Sequence, residues 1–243
     1  MNLLVDMGNS RLKWGISNGL DIVQGIPIAN TQINLNTLAQ LWREIPSPEK
    51  IAVSCVSTGT LFDQVLLAAN TLWPQISVFR AKSVASALGV TNAYQEPGKL
   101  GVDRWLCMVS AYQNFQKALC IVDCGTAITV DLVDVSGKHL GGLISPGLNL
   151  MKESLAKRTA YLKLPDATYP FGLAVKTDAA IHNGTLSAAC GMIEYILKNQ
   201  PDTLQLIVTG GDAQVVASHL YREAFIDPDL VLRGLALTVH QPE

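Results

Sequence analysis

The sequence predicts an α/β protein of two similar lobes, each a mixed β-sheet flanked by helices. Residues 4–10 and 121–127 read almost alike, because each is an apolar strand that runs into Asp-x-Gly and then a small polar residue. A hairpin signal follows each copy at nearly the same distance, and each half later repeats a strand followed by a helix. An internal repeat is a strong sign of organisation in a single sequence. The repeat therefore predicts two related lobes that face each other across a cleft.

Composition limits the class of protein. The chain has 243 residues, of which 49% are hydrophobic and 16% charged, enough for one large domain or two ordinary ones. The net charge of −2 argues against a nucleic-acid-binding surface. No apolar run approaches the roughly 18 residues of a membrane span. Asp6 interrupts the short apolar start, so no signal peptide is expected either.

The cysteines point to a reducing compartment. There are five, an odd number, and no Cys-x-x-Cys pair occurs. This pattern indicates neither a disulfide framework nor a zinc site. We therefore expect a cytoplasmic protein whose thiols are small buried side chains.

The first lobe opens as a predicted three-stranded meander. Residues 2–6 form a short strand, and residues 11–17 alternate between apolar and polar side chains, which is the period of a strand with one buried face. Asn18-Gly19 is a strong hairpin signal, so residues 20–27 are expected as the third strand. The lobe continues with a buried strand and a helix, at residues 50–55 and 61–72.

The second lobe repeats this plan. Its hairpin signal is Ser136-Gly137, and the strand that follows the meander again ends in small residues. The expected strands span residues 118–123, 127–135 and 139–145, and a strand-to-turn segment at 206–213 leads into a helix at 214–223. Strands and helices in this order predict a mainly β sheet covered by helices.

Two further helices bear on the organisation of the chain. A helix at 104–116 leads out of the first half, so the boundary is placed near Lys117, with lobes at 1–117 and 118–243. A helix at 178–198 carries many small residues, and such a surface lets another helix approach closely. That surface fits either internal packing or a dimer contact.

The first Asp-x-Gly turn carries side chains suited to phosphate. Gly8 lets backbone N–H groups approach a phosphate, and Asn9 and Ser10 can add hydrogen bonds. Lys13 supplies positive charge, and Asp6 at the strand end could hold Mg²⁺ directly or through water. An ordinary β-turn is the alternative for a single copy. The duplication favours phosphate binding.

The second turn is a related candidate. Thr126 could bond a phosphate oxygen, and Asp123 would face the same cleft if a pseudo-twofold axis relates the lobes. Farther along, residues 209–212 read Thr-Gly-Gly-Asp between a strand and a helix. The two glycines there either admit a flat adenine or ribose or serve packing alone.

Asp103 and Arg104, at the start of a predicted helix, form the most reactive-looking segment. An Asp at a helix start is also a common cap, so a purely structural role is the alternative. In a phosphotransferase, an Asp orients the attacking hydroxyl and accepts its proton. Arg104 could neutralise an acidic substrate or the phosphoryl group in transfer.

Five segments together carry a family resemblance that spans most of the chain. They are Asp6-Met7-Gly8-Asn9-Ser10, Asn92-Ala93-Tyr94-Gln95-Glu96-Pro97-Gly98-Lys99-Leu100-Gly101-Val102-Asp103-Arg104, Asp123-Cys124-Gly125-Thr126-Ala127-Ile128-Thr129, Gly141-Gly142-Leu143-Ile144-Ser145-Pro146-Gly147 and Thr209-Gly210-Gly211-Asp212. These segments resemble the type III pantothenate kinases. The two Asp-x-Gly turns alone indicate only the wider superfamily of acetate and sugar kinases, Hsp70 and actin. The segment from Tyr94 to Arg104 points to this particular family.

The resemblance implies both a fold and an activity. The fold would be two ribonuclease H-like lobes with a nucleotide cleft between them, in a homodimer. The activity would be transfer of the γ-phosphoryl group of ATP to the primary hydroxyl of pantothenate, the first step of coenzyme A biosynthesis. The implied cofactors are Mg²⁺ with the ATP and a monovalent cation, K⁺ or NH₄⁺.

The resemblance also implies a role for each site residue. Asp103 would be the general base, Asp123 would hold the monovalent cation, and Asp6 would hold Mg²⁺. The ATP contacts would be Asp6, Met7, Gly8, Asn9, Ser10, Arg11, Leu12, Lys13 and Thr126. The pantothenate pocket would be lined by Tyr94, Gly101, Val102, Asp103, Arg104 and Thr177.

Two other functions stay open at the level of sequence. A different small-molecule kinase on the same fold would keep both Asp-x-Gly turns and change residues 94–104. A non-catalytic regulator is the second alternative, since some relatives were first described as accessory transcription factors. That function would require lost catalytic residues or a basic surface, and the sequence has neither.

Overall fold

The computed structural model describes residues 1–158, 167 and 169–239, which form two compact units. The first unit comprises Met1–Asn114 with residues 229–239, and the second comprises Phe115–Pro228. Each unit has one main β-sheet with helices packed on it. Within the described residues, no helix combines the length and apolar character that a membrane span requires.

The first unit is a sheet of short strands with helices between them. Its elements are β1 (Asn2–Met7), β2 (Arg11–Asn18), β3 (Asp21–Gln24), β4 (Ile28–Ala29), α1 (Leu35–Trp42), β5 (Lys50–Cys55), α2 (Gly59–Leu72), β6 (Ser77–Arg80), β7 (Ser86–Ala87), β8 (Val90–Thr91) and α3 (Val102–Phe115). The main sheet has the strand order β3-β2-β1-β5-β6. Strand β1 pairs antiparallel with β2 and parallel with β5. The predicted meander therefore forms, and β5 adds to its free side.

The second unit repeats this sheet. The elements that follow α3 are β9 (Leu119–Cys124), β10 (Ala127–Val133), β11 (His139–Pro146), α4 (Leu148–Arg158), α5 (Thr177–Leu197), β12 (Gln205–Thr209), α6 (Ala213–Ala217), β13 (Phe225–Ile226) and α7 (Leu230–Thr238). The strand order is β11-β10-β9-β12-β13, with β9 antiparallel to β10 and parallel to β12. Order and direction match those of the first sheet, so the predicted pair of ribonuclease H-like lobes is confirmed.

The first sheet buries one face against α1 and α2. Val5 and Met7 of β1 join a core cluster with the apolar side chains of those helices. Trp14 and Trp42 meet edge to face in that cluster, with 6.4 Å between their ring centroids. Because successive side chains of a strand point to opposite faces, Asp6 lies on the other face of the sheet.

The second sheet buries the corresponding face against α5 and α6. Val122 and Cys124 of β9 belong to this cluster. By the same alternation, Asp123 lies on the face away from the cluster. The acidic residue of each Asp-x-Gly turn thus takes the same position relative to its own core.

The third strand is shorter than the sequence predicts. Strand β3 ends at Gln24 rather than at residue 27, because the chain turns against Trp14 at Gly25. The Gly25 N–H donates to the Trp14 carbonyl at 2.9 Å, and the indole N–H donates to the Ile26 carbonyl at 3.0 Å. A β-carbon on Gly25 would overlap the indole ring, so this turn needs glycine.

The predicted helix at 214–223 is also too long. The observed helix, α6, ends at Ala217, and the chain then runs to β13, which pairs parallel with β12. Phe225 of β13 packs edge-on against Phe115, with 5.2 Å between ring centroids. This ring contact and the added strand pairing favour an extended segment over further helix.

The last helix, α7, packs within the first unit. It contacts β1, β2 and β5, and its Leu235 and Ala236 are buried. At Gly234 it lies so close to the Leu106 carbonyl of α3 that a β-carbon would overlap it. The lobe bounds predicted from the repeat, 1–117 and 118–243, stay a prediction. The compact units divide after residue 114, and α7 belongs to the first of them.

Candidate active site

The first Asp-x-Gly turn groups three polar side chains on one face of its sheet. Asp6 of β1 pairs in register with Lys13 of β2 and with Ser54 of β5. Directly paired residues of neighbouring strands project to the same side of a sheet. Asp6 and Ser54 are buried, and Lys13 is half-buried. The side chains of Asp6, Lys13 and Ser54 therefore share one face of the sheet at the end of β1.

The loop that follows β1 is exposed and tight. The Gly8 N–H donates to the Arg11 carbonyl at 3.1 Å, and the side chains of Asn9, Ser10 and Arg11 are exposed. A β-carbon on Gly8 would lie 3.3 Å from the Arg11 carbonyl oxygen, which is a close contact. Glycine therefore keeps the backbone of this loop open to an approaching ligand.

Two of the predicted ATP contacts can act only through their backbone. Met7 and Leu12 pair with each other across β1 and β2, and both side chains are fully buried in the core. They anchor the two ends of the loop. Side-chain contacts to a nucleotide are therefore left to the loop residues, to Asp6 and to Lys13.

The second Asp-x-Gly turn groups a different set of side chains. Asp123 of β9 pairs in register with Thr129 of β10 and with Thr209 of β12. Its carboxylate is therefore flanked by two hydroxyls, with no ammonium group at the position that corresponds to Lys13. The Gly125 N–H donates to the Ala127 carbonyl at 3.0 Å.

Two glycine-containing segments pack closely on this second turn. A β-carbon on Gly147 would overlap the Gly125 carbonyl, and the Gly147 N–H donates to the Thr126 carbonyl at 2.9 Å. Gly210 has a φ of +94°, and a β-carbon there would lie 2.5 Å from the Cys124 carbonyl oxygen. The motifs at 141–147 and 209–212 thus converge on the second turn, and Thr126 is its exposed tip.

Acidic groups surround Cys124 in that turn. Burial, followed by the carboxylates of Asp123 and Asp212, raises the pKa of the Cys124 thiol well above its ordinary value. The Asp212 N–H also donates to the Cys124 carbonyl at 3.0 Å. Both carboxylates therefore act on Cys124 from nearby, and a negative environment of this kind attracts a cation.

The segment that points to the family forms a compact group in the first unit. Arg104 is only 5% exposed, and its Nη1 donates to the Tyr94 hydroxyl at 3.1 Å. The guanidinium carbon lies 5.9 Å from the centroid of the same ring. Val102 is buried as the first residue of α3, so any contact it makes with a ligand is through its backbone. Buried Arg104 is thus held in one orientation by Tyr94.

Asp103 lies in the first turn of α3 and is half-exposed. Its Oδ1 accepts a hydrogen bond from the Arg104 N–H at 2.8 Å. A β-carbon on Gly101 would lie 2.6 Å from that oxygen, so the carboxylate folds over Gly101. The helix N-terminus favours the ionised carboxylate. A partly exposed carboxylate therefore lies beside Arg104 in the first turn of α3.

Thr177 lies apart in the chain from the other predicted pantothenate contacts. It is the exposed first residue of α5, in the second unit, whereas Tyr94 and residues 101–104 belong to the first. Tyr94 and Arg104 contact each other within the first unit. The contribution of Thr177 to the pantothenate pocket stays a prediction.

The family of the chain is decided by comparison with known proteins. The sequence model described as type III pantothenate kinase matches residues 2–199. The chain belongs to the type III pantothenate kinase family. The family predicted from the sequence is thereby confirmed, and with it the prediction of a pantothenate kinase.

Similar proteins extend this match to almost the whole chain. A type III pantothenate kinase of Nitrosococcus oceani is 37% identical over 247 residues, covering 97% of this chain and 92% of the relative. One from Dechloromonas aromatica is 35% identical over 242 residues and covers 97% of both chains. A solved structure from Campylobacter jejuni, assigned to the Baf family of transcriptional activators, is 22% identical with a TM-score of 0.59. The match covers 96% of this chain and 94% of the Campylobacter jejuni chain. At 22% identity it shows the fold alone.

A type III pantothenate kinase uses ATP with a divalent metal, and the first turn suits both groups. Magnesium prefers oxygen ligands and is commonly held by one or two carboxylates together with substrate phosphates. Asp6 offers a carboxylate at the end of β1, and Gly8 opens the adjoining loop. Among the described residues, no three His, Cys, Asp or Glu side chains cluster as metal ligands.

Sequence reasoning gave no role to three residues that contact or adjoin these groups. Ser54 stands beside Asp6, and the repeated strand-and-turn pattern at residues 50–55 was a usable signal for it. Asn92 accepts from the Tyr94 N–H at 3.0 Å and donates to the Pro97 carbonyl at 3.3 Å, so it shapes the Tyr94 loop. Asn30 contacts the first turn from 22 residues away, and no local pattern marks it.

Proposed function

We propose that this kinase transfers the γ-phosphoryl group of ATP to the primary hydroxyl of pantothenate, with Asp103 as general base. The observation that carries the proposal is the accessible Asp103 carboxylate next to buried Arg104, which Tyr94 holds in place. The product is 4′-phosphopantothenate, the first intermediate of coenzyme A biosynthesis.

Asp103 acts on the acceptor. Its carboxylate accepts the proton of the pantothenate hydroxyl as that oxygen bonds to the γ-phosphorus and the bond to the ADP oxygen breaks. The carboxylate also orients the hydroxyl for in-line attack, which is the larger part of catalysis in phosphoryl transfer.

Arg104 and Tyr94 hold the acceptor. Pantothenate is a small anion, and a buried guanidinium in a fixed orientation forms strong, directional hydrogen bonds to a carboxylate. Gly101 and Val102 contribute backbone groups at the start of α3, and Thr177 contributes its hydroxyl from the start of α5. Specificity therefore depends on this segment rather than on either Asp-x-Gly turn.

The first turn binds the nucleotide phosphates. The N–H groups and the side chains of Asn9 and Ser10 face the phosphates, and Lys13 neutralises their charge. Asp6 holds Mg²⁺, directly or through water. The metal ion supplies charge neutralisation between the phosphates when it is bound.

The second turn serves a monovalent cation and one phosphate contact. Asp123, flanked by Thr129 and Thr209, offers oxygen atoms to K⁺ or NH₄⁺. The hydroxyl of exposed Thr126 bonds a phosphate oxygen. Turnover measured with and without K⁺ tests the cation, and equal rates in Na⁺ and K⁺ would refute it.

We also propose a cytoplasmic homodimer. Exposed Gly184, Ala188 and Gly191 share one face of α5, where small side chains let a second helix approach closely. Light scattering of the purified protein should give the mass of two chains, and the mass of one would refute the dimer. Cell fractionation tests the compartment.

The variant Asp103→Asn tests the base. Asparagine keeps an Oδ1 that can accept the Arg104 N–H, so the fold is retained, but it cannot accept the hydroxyl proton. The kcat should fall by about 10³-fold while the dissociation constant for MgATP stays near the wild-type value. A coupled kinase assay and calorimetry measure the two constants.

The matched control is Asp63→Asn, which makes the same chemical change at an exposed position of α2. Both constants should stay at wild-type values in that variant. Near-normal turnover in Asp103→Asn would overturn the base assignment. Turnover of sugars or other hydroxylated acids without turnover of pantothenate would overturn the acceptor instead.

A further inference from the structure

Asn30 binds three successive carbonyls of the first Asp-x-Gly turn. Its side-chain Nδ2 donates to the carbonyls of Gly8 and Asn9, both at 2.9 Å. Its backbone N–H donates to the Ser10 carbonyl at 3.0 Å. Asn30 begins a short 3₁₀ turn, Asn30–Gln32, directly after β4, which pairs with the start of β2. The pairing of β4 with β2 thus brings one residue against the whole loop.

These bonds set the direction of the loop amides. In a planar trans peptide, the C=O of one residue and the N–H of the next point in opposite directions. Carbonyls of Gly8, Asn9 and Ser10 that face Asn30 therefore turn the N–H groups of the following residues away from it. Those residues are on the exposed side of the loop. A row of N–H groups presented in this way is the arrangement that binds a phosphate.

The chemistry of the contact requires an amide donor. Both partners of the side chain are carbonyl oxygens, so the atom that faces them must be Nδ2. The Oδ1 of Asn30 is buried and has no hydrogen-bond partner among the described residues. The two hydrogen bonds donated by Nδ2 therefore hold this side chain in place. A carboxylate of the same shape would set its own oxygens against two carbonyls.

Backbone bonds hold the second turn. Its carbonyls accept backbone N–H groups, from Gly147 to Thr126 and from Asp212 to Cys124. Those bonds survive side-chain substitution. In the first turn, the carbonyls of Gly8 and Asn9 instead accept from a side chain, that of Asn30.

We infer that Asn30 is a positioning residue that fixes the N–H groups of the first turn for the phosphates of ATP. The inference rests on the proposed function of that turn as the phosphate site. Asn30 reaches the turn from its carbonyl side, opposite the N–H groups that face the nucleotide.

The test compares Asn30→Asp and Asn30→Ala with wild type. Calorimetry with a non-hydrolysable ATP analogue and Mg²⁺ should show about tenfold weaker binding for Asn30→Asp and about fivefold weaker for Asn30→Ala. In steady-state assays the KM for ATP should rise by similar factors, while the KM for pantothenate stays unchanged. A purely structural defect would lower the active fraction and leave both KM values unchanged.

The control is Asn34→Asp on the same connecting segment. Asn34 caps α1 by accepting the Thr37 N–H at 3.0 Å, a bond that a carboxylate keeps. This variant adds the same charge and should bind the analogue as wild type does. If Asn30→Asp does not fold, Asn30→Ala decides the matter, and wild-type nucleotide affinity in Asn30→Ala would overturn the inference.

Failure of the proposed acceptor gives a different result. If wild type binds the analogue but does not phosphorylate pantothenate, weaker binding in the Asn30 variants still supports the positioning role. If wild type does not bind the nucleotide at all, the inference falls together with the phosphate site.

Discussion

The two Asp-x-Gly turns share a sequence pattern but differ in length. In the first, four residues separate the paired residues Met7 and Leu12, and in the second, three separate Cys124 and Ile128. The extra residue gives the first loop one more backbone amide. The first loop exposes the side chains of Asn9, Ser10 and Arg11, whereas the second exposes that of Thr126. The longer turn therefore has more groups to offer to a chain of phosphates.

The two turns also differ in the residues beside the carboxylate. Asp6 is flanked by Lys13 and Ser54, whereas Asp123 is flanked by Thr129 and Thr209. A carboxylate beside an ammonium group suits a metal bound to an anion, while a carboxylate among hydroxyls suits a bare cation. The duplication is thus a repeat of fold in which each copy has its own chemistry.

The largest difference is expected when the two carboxylates are neutralised separately. Asp6→Asn should lower kcat/KM for MgATP by about 10²–10³-fold, because the proposed Mg²⁺ ligand is lost. Asp123→Asn should lower it by about tenfold and abolish activation by K⁺. Steady-state assays over a range of Mg²⁺ and K⁺ concentrations measure both effects. Similar losses in the two variants, with K⁺ activation retained, would contradict the division of roles.

A smaller effect is expected from adding a methyl group to each turn. In Gly147→Ala the new β-carbon meets the Gly125 carbonyl, so the free energy of unfolding should fall by about 3 kcal/mol. In Gly8→Ala the contact is 3.3 Å, so stability should fall by less than about 1 kcal/mol while the KM for ATP rises.

Urea unfolding and ATP kinetics separate these two outcomes. In Gly147→Ala the folded molecules should keep the wild-type KM for ATP. In Gly8→Ala the unfolding midpoint should shift only slightly. The reverse pattern would show that the second turn, not the first, is the one open to ligand.

The smallest effect is expected at Thr126. Loss of one neutral hydrogen bond in Thr126→Ala should raise the KM for ATP by about fivefold, and Thr126→Ser should restore it. The side chain is exposed, so stability should not change. An unchanged KM in Thr126→Ala would remove the second turn from the phosphate site and leave it only the cation.

Much of the fold followed from local patterns in the chain. Alternation at residues 11–17 predicted β2, and the hairpin signal at Asn18-Gly19 predicted its return, because both depend on near neighbours. The strand at 50–55 was predicted at its observed limits. The predicted lengths of β3 and α6 were wrong, because contacts between residues apart in the chain decide where these elements end. Contacts with Trp14 end β3 early, and the pairing of β13 with β12 follows the end of α6.

The candidate site divides in the same way. The motifs located the carboxylates Asp6, Asp103 and Asp123, since each stands at the end of a strand or the start of a helix. The partners that orient them could not be read from local sequence. Lys13 and Ser54 become neighbours of Asp6 only through strand register.

The sequence by itself determined the family, the repeat and the positions of both Asp-x-Gly turns, because motif and periodicity are properties of adjacent residues. Only the tertiary structure decided how each turn is held: Asn30 supports the first, and Gly147 and Gly210 close on the second. Those contacts join residues far apart in the chain, and they form only when strands pair and bring their loops together. For that reason two turns with the same pattern have different surroundings, and we assign them different roles in one kinase.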